Sequence, residues 1–229
     1  MRVGPQIDYR LIADAMTFYT ALGYQPVEVP WVVSDEVSEL TCPDTKLSFG
    51  VSKYDTHVGK LIGSSEQALI SAVCSGALPS GKKLVCCSPC FRVNQDDSPY
   101  HFDQFMKIEL GFGYPLAKYK DLETVSVRMP NMISIIRLFI HHARSFFESK
   151  TSSKVETYNS DTDPETDILV NDIEVGSYGW RLIPNNGNPF IWCYGTGLAL
   201  PRFTQAAGIN PRIVSVSNGD DDILSPSRL

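Results

Sequence analysis

The sequence predicts a single α+β domain, and three observations carry that expectation. Two segments, residues 8–22 and 131–150, repeat apolar side chains at helical spacing. Residues 83–110 read as two strands joined by a short polar loop, and further β-rich runs lie at 168–175 and from 190 onward. A chain of 229 residues that is 43% apolar is long enough for one sizeable core and short for two full domains.

In the first helical segment the apolar positions are Leu11, Ile12, Ala15, Met16, Phe18, Tyr19 and Leu22, with Gly23 as the stop. Residues 24–33 read as a strand that ends or bends at Pro30, because proline cannot donate to a central ladder. Residues 41–60 show no clear period. Ser64, Ser65 and Glu66 stand at a strand-to-helix junction, ahead of the apolar positions Ala68, Leu69, Ala72 and Val73. A hydroxyl and an early acid are what a helix N-terminus prefers, so the plain reading here is a cap.

The central hairpin is the chemical centre of the sequence. Its first arm, 83–91, is rich in Val, Cys and Phe; its second, 101–110, alternates. Phe105, Lys107 and Glu109 fall on one face, and Met106 and Ile108 on the other. Arg92, His101, Phe105 and Glu109 therefore converge on one ligand, combining cations for phosphate, a ring for a base and a carboxylate for a cationic or hydroxylated group. Cys87 and Cys90 have CxxC spacing, but a strand sends them to opposite faces and there is no second pair. They read as small buried side chains.

In the second helical segment Met132, Ile135, Ile136, Phe139, Ile140, Ala143, Phe146 and Phe147 recur at three and four residues. His141 and His142 lie on it about 100° apart, which favours structural roles over a shared metal. The polar, turn-rich residues 148–167 read as a surface loop within the domain. The run 168–175 is closed by glycines at 176 and 179. Residues 190–203 read as a strand, a turn at Gly195 and Gly197, and a helix beginning near Pro201. The two glycines let a base or phosphate approach the backbone, with Arg202 at a helix N-terminus beside them.

The net charge of −6 gives no global attraction to nucleic acid. No apolar run approaches the roughly 20 residues of a membrane helix, and the N-terminus does not resemble a signal peptide. A soluble, cytoplasmic protein is expected. Six cysteines in a chain of this length are too sparse for a disulfide scaffold.

Taken in order, these residues resemble the three motifs of class II aminoacyl-tRNA synthetase catalytic cores, most closely the seryl-tRNA synthetase subgroup. The helix ending at Gly23 and the strand to Pro30 resemble the first motif, which in the family builds the dimer interface. Phe91 and Arg92, followed by His101, Phe105 and Glu109, resemble the second; Gly195, Gly197 and Arg202 resemble the third. The resemblance spans about 8–207 and implies an antiparallel β-sheet flanked by helices. It also implies a homodimer formed through the first-motif helix and strand.

The resemblance implies ATP and Mg²⁺ as cofactors and an aminoacyl-adenylate as product. Adenine lies between Phe105 and Arg202 in such a site, Arg92 holds the α-phosphate and the substrate carboxylate, and His101 and Arg202 hold the outer phosphates. Asn94, Gly195 and Gly197 belong to the same ATP site, and Arg92 and Arg202 are its catalytic pair. Glu174 and Ser177 match the family's Glu-x-x-Ser and are the implied Mg²⁺ ligands. Ser64 and Glu66 match the loop that reads the substrate ammonium; Glu109 and Thr196 match the side-chain pocket, which favours a small or polar amino acid.

The chain departs from the family in places. Asn94 stands where the second motif usually has Glu, and Tyr194 where the subgroup commonly has Asn. The loop 94–100 is short and carries Asp96 and Asp97, whose charge repels phosphate. Neither a coiled-coil arm nor an anticodon-binding domain is expected within 229 residues. The expected acyl acceptor is therefore a carrier protein, another protein or a small molecule. The alternatives are a minimal tRNA-charging ligase and a catalytically silent paralogue. Zinc, which related carrier-protein ligases hold, is not expected, because only Cys193 and Glu109 stand at ligand positions.

Overall fold

A computed structural model describes residues 6–41, 59–92, 98–116, 122–159, 165–184 and 189–209. Helix α1 (Tyr9–Ala21) opens on Asp8, whose carboxylate accepts from the backbone N–H groups of Arg10 and Leu11. It stops where Gly23 turns left-handed at φ 79°. Leu11, Ala15 and Tyr19 form its buried stripe. The strand expected over 24–33 divides in two. β1 (Gln25–Pro26) runs parallel to β4 (Leu84–Phe91) at the sheet edge, where a proline costs no ladder bond. β2 (Val32–Val33) leaves the sheet to pair with β3 (Lys60–Leu61).

α2 (Asp35–Ser38) and α3 (Ser65–Cys74) follow, the latter capped by Ser64 as expected. β4 and β5 (Gln104–Pro115) form the predicted antiparallel hairpin. α4 (Leu122–Lys150) runs further toward its N-terminus than the periodic segment that predicts it. Then come β6 (Val155–Asn159), β7 (Thr166–Val170), β8 (Ile173–Ile183), β9 (Phe190–Leu200) and α5 (Arg202–Ala206). The main sheet has seven strands in the order β1-β4-β5-β9-β8-β7-β6, antiparallel except at β1.

Three local expectations are corrected. The stretch 148–167 is not a surface loop: it contributes the end of α4, all of β6 and the start of β7, so it builds the far edge of the sheet. The run 168–175 is a hairpin rather than one strand, turned by Asn171 and Asp172, both at positive φ. Finally, 190–200 is one continuous strand, with Gly195 and Gly197 inside it rather than at a turn.

One face of the sheet is sealed by α1 and α4, whose Tyr19, Met132, Phe139, Ala143, Phe146 and Phe147 pack on Val85, Ile108, Leu110 and Cys193. His142 serves this packing by hydrogen-bonding the Tyr24 hydroxyl at 3.1 Å. The other face carries a smaller cluster, in which α3 covers Leu84, Cys86 and Trp192. Among the described residues no helix is long and apolar enough to cross a membrane.

Candidate active site

The site lies on the second face of the sheet, next to the α3 cluster. Register pairs Cys90 with Phe105, Ser88 with Lys107 and Cys86 with Glu109, and Glu109 in turn with Thr196 of β9. Directly paired residues share a face, so Phe105, Lys107, Glu109 and Thr196 point the same way. A bulge between Ile108 and Glu109 makes Gly197 the extra residue of β9 and keeps Thr196 in that row.

At one end of the row the cations gather. Arg92 ends β4, its backbone N–H bonding the Asp103 carbonyl and its side-chain Nε the Gly63 carbonyl, both at 2.9 Å. Its guanidinium carbon lies 5.2 Å from the centre of the half-buried Phe105 ring. Arg202 opens α5, and the pairing of Leu200 with Met106 brings it beside the start of β5. Its Nε donates to the Tyr100 carbonyl at 3.2 Å, next to the exposed His101, and its Nη1 is 3.3 Å from Glu174 Oε1. Arg92, His101, Phe105 and Arg202 are therefore brought to one end of the sheet. The Arg92 guanidinium lies over the Phe105 ring, while Arg202 is held by the Tyr100 carbonyl and Glu174.

Glu174 and Ser177 lie on β8, three apart, which in a regular strand sends them to opposite faces. A bulge opposite Ile168 inserts Val175 and resets the alternation between them. Ser177 donates to Glu165 Oε2 at 3.0 Å, and the Tyr194 hydroxyl donates to the other oxygen of the same carboxylate. Glu165 was not expected here, since it belongs to the polar stretch read as a loop. Among the described residues no cluster of three or more His, Cys, Asp or Glu is placed to hold a metal by itself.

Gly195 and Gly197 lie inside β9, where core packing accounts for their missing side chains. A Cβ at Gly195 would sit 2.5 Å from the Tyr178 ring, and one at Gly197 2.9 Å from Ile108 and from Tyr19. Their missing side chains make room for core rings on the helix face, away from the row of Phe105 and Glu109. Asn94 lies outside the described residues.

At the other end of the row two buried carboxylates face two cations. Glu109, 1% exposed, takes the Ser64 hydroxyl at 2.5 Å and the Lys107 ammonium at 2.7 Å. Glu66, 6% exposed, has Oε1 3.1 Å from Arg181 Nε, yet neither atom makes a hydrogen bond, so the pair is held by charge alone. Burial, helped by the charge of Glu109, pushes Glu66 up to about 7 against the opposing pull of Arg181 and Lys107. Ser64, Glu66, Glu109 and Thr196 are thus brought together on one face. Arg181 falls outside the sequence-based set, because β8 continues past Gly179 to Ile183. The alternation of Ser177, Gly179 and Arg181 along β8 was the available signal.

The cysteines behave as the hairpin pattern predicts. Cys87 pairs with Ile108 and Cys90 with Phe105, on opposite faces. Burial pushes the Cys86 thiol up to about 12 and the Cys90 thiol up to about 11, which leaves both inert. Cys193 packs against Met132 on the helix face and cannot share a metal with Glu109 across the sheet.

No protein-family model and no curated protein sequence matches the chain. Solved structures do. Seryl-tRNA synthetase from Pyrococcus horikoshii complexed with ATP superposes with a TM-score of 0.61 at 18% identity, covering 87% of this chain and 49% of that one. Cytoplasmic serine-tRNA ligase from Naegleria fowleri in complex with AMP gives 0.62 at 15%, covering 89% and 52%. PylSc, a pyrrolysyl-tRNA synthetase from Desulfitobacterium hafniense, gives 0.58 at 14%, covering 89% and 70%. The chain thus spans about half the length of the two seryl enzymes. Its mostly antiparallel sheet flanked by helices is the fold of the class II aminoacyl-tRNA synthetase catalytic core.

Proposed function

We propose that this chain activates an amino acid with ATP, forming an aminoacyl-adenylate and releasing pyrophosphate. The observation that carries this reading is the convergence of Arg92 and Arg202, 110 positions apart in the chain, on the Phe105 end of a row whose other end is the buried Glu66 and Glu109 pair. Cations at one end suit a triphosphate, a partly open ring suits a base, and a buried carboxylate suits an ammonium. The substrate carboxylate, held by Arg92, attacks the α-phosphorus in line as the bond to the pyrophosphate oxygen breaks. Catalysis is positioning and charge neutralisation, with no protein nucleophile.

Glu174, Ser177 and the adjoining Glu165 supply oxygen donors only, a set that fits Mg²⁺ with substrate phosphates completing the shell. An ion held by these residues would supply neutralisation of phosphate charge. Arg202 loses its hold on Glu174 when it turns to a phosphate, which frees that carboxylate.

For the acceptor, the solved relatives favour tRNA over the non-tRNA acceptor expected from the sequence, since each is named as a tRNA synthetase or tRNA ligase. The net charge of −6 and the acidic residues Asp96 and Asp97 are the observations on the other side. The free thiols suit a reducing compartment, the cytoplasm in this reading. We also read the chain as a homodimer through α1 and the segment after it. Tyr9, Leu22 and Trp31, all exposed large side chains, lie in that region, Trp31 at 55%.

Exchange of labelled pyrophosphate into ATP across a panel of amino acids tests the reading. Exchange is expected with at least one amino acid, and Arg92→Ala lowers it by on the order of 10²–10³-fold. No exchange with any amino acid would show a silent paralogue. Acid-gel analysis of tRNA and candidate carrier proteins decides the acceptor, and acylation of a carrier alone would overturn the tRNA assignment.

A further inference from the structure

We infer that Arg181 and Trp192 set the substrate of this pocket, and that it is an amino acid whose side chain ends in a carboxylate. The inference rests on the activating role proposed above and deepens it.

The two ion pairs at this end of the site differ. Glu109 is satisfied by Lys107 and Ser64. In the other pair, Glu66 Oε1 and Arg181 Nε are both buried and both lack a hydrogen bond. Trp192 Nε1 is buried and unpaired as well. Arg181 and Trp192 are register partners on β8 and β9, so their side chains leave the sheet on the same face, one strand apart. The Arg181 guanidinium lies 4.4 Å over the Tyr194 ring, which holds it in place without using its N–H donors. This end of the site thus holds an ion pair without a hydrogen bond, Arg181 with Glu66, and on the same face an indole N–H without an acceptor. Buried polar groups are rarely left so, because an unpaired donor or acceptor keeps its full desolvation penalty.

An amino acid brings an ammonium, which suits Glu66. When the ammonium takes Glu66, Arg181 loses its anion, and a half-buried guanidinium stripped of its partner is costly. Of the other anions on this face, Glu109 is held by Lys107 and Ser64, and Glu165 is engaged by Tyr194 and Ser177. A neutral side chain leaves that cost standing. A carboxylate side chain removes it: the internal pair of Glu66 and Arg181 is exchanged for two pairs with the ligand, and no net charge is buried. The planar carboxylate also matches the guanidinium fork and leaves an oxygen for the indole N–H.

Titration calorimetry of the full chain with a non-hydrolysable ATP analogue present, using aspartate, glutamate, asparagine, serine and leucine, tests this. The acidic ligands are expected to bind at least about tenfold more tightly than the others, a margin easily resolved. Arg181→Gln is expected to weaken them by on the order of 10²-fold and to erase the preference. Arg181→Lys restores part of it, and Trp192→Phe, which keeps the ring volume, narrows it. Circular-dichroism melts confirm that each variant folds. If neutral amino acids bind as tightly as acidic ones, or if Arg181→Gln keeps the acidic preference, the inference is overturned. Titration with the analogue alone separates the two levels. Analogue binding with a flat amino-acid panel overturns only the side-chain assignment; absence of both overturns the activating role with it.

Discussion

Glu66 is a carboxylate kept from water and set near a second one, and its acidity records both facts: burial and the charge of Glu109 raise it from 4.5 to about 7. A raised carboxyl binds its proton in the folded chain at a pH where the unfolded chain has lost it. Its contribution to stability is therefore complete below the ordinary glutamate range and is lost as pH rises through about 7. The shift corresponds to about 3 kcal/mol between those limits. Glu66→Gln is expected to remove that slope, so urea unfolding of the parent and the variant at steps across this window must diverge with pH. Parallel profiles would sink the assignment. The same proton opposes ammonium binding, so amino-acid affinity is expected to rise with pH through this range.

At the scale of elements, β9 is organised by what its glycines exclude. Tyr178 and Tyr19 occupy the space beside Gly195 and Gly197, and each ring hydroxyl is tied to the strand backbone, Tyr178 to the Thr196 carbonyl and Tyr19 to the Gly197 carbonyl. A methyl group at Gly195 meets a fully buried ring that has nowhere to go. Gly195→Ala is expected to lower stability by about 1–3 kcal/mol, the usual cost of overpacking, as a reduced urea midpoint with unchanged slope. If these glycines instead served nucleotide approach, the substitution would weaken ATP binding and leave the midpoint alone. The bulges in β8 and β9 act at the same scale, since each re-aims a side chain, Glu174 in one case and Thr196 in the other.

At the scale of the whole molecule, the two faces of the sheet divide the work. Helices α1 and α4 close one face with an apolar core, and the other carries the smaller α3 cluster beside the polar row of Lys107, Glu109 and Thr196. The edge of that architecture lies at β1, near the exposed Trp31. Light scattering is expected to give twice the 25.4 kDa chain mass. Trp31→Glu is expected to shift it toward the monomer, because a charge in an apolar interface must be desolvated to pair. A monomeric parent chain would refute the dimer.

The sequence by itself determined whatever is periodic or local: α1 with its Asp8 cap, the core stripe of α4 from Met132 to Phe147, the faces of Phe105, Lys107 and Glu109, and the Ser64 cap of α3. These follow from spacings of two or of three and four residues that any short window displays. Only the tertiary structure decided which distant residues meet. Arg181 reaches Glu66 across 115 positions, Glu165 reaches Tyr194 across 29, and Gly195 makes way for the Tyr178 ring. The reason is physical. Strand register and β-bulges set those encounters, and they depend on the pairing of separate segments, which no local pattern encodes.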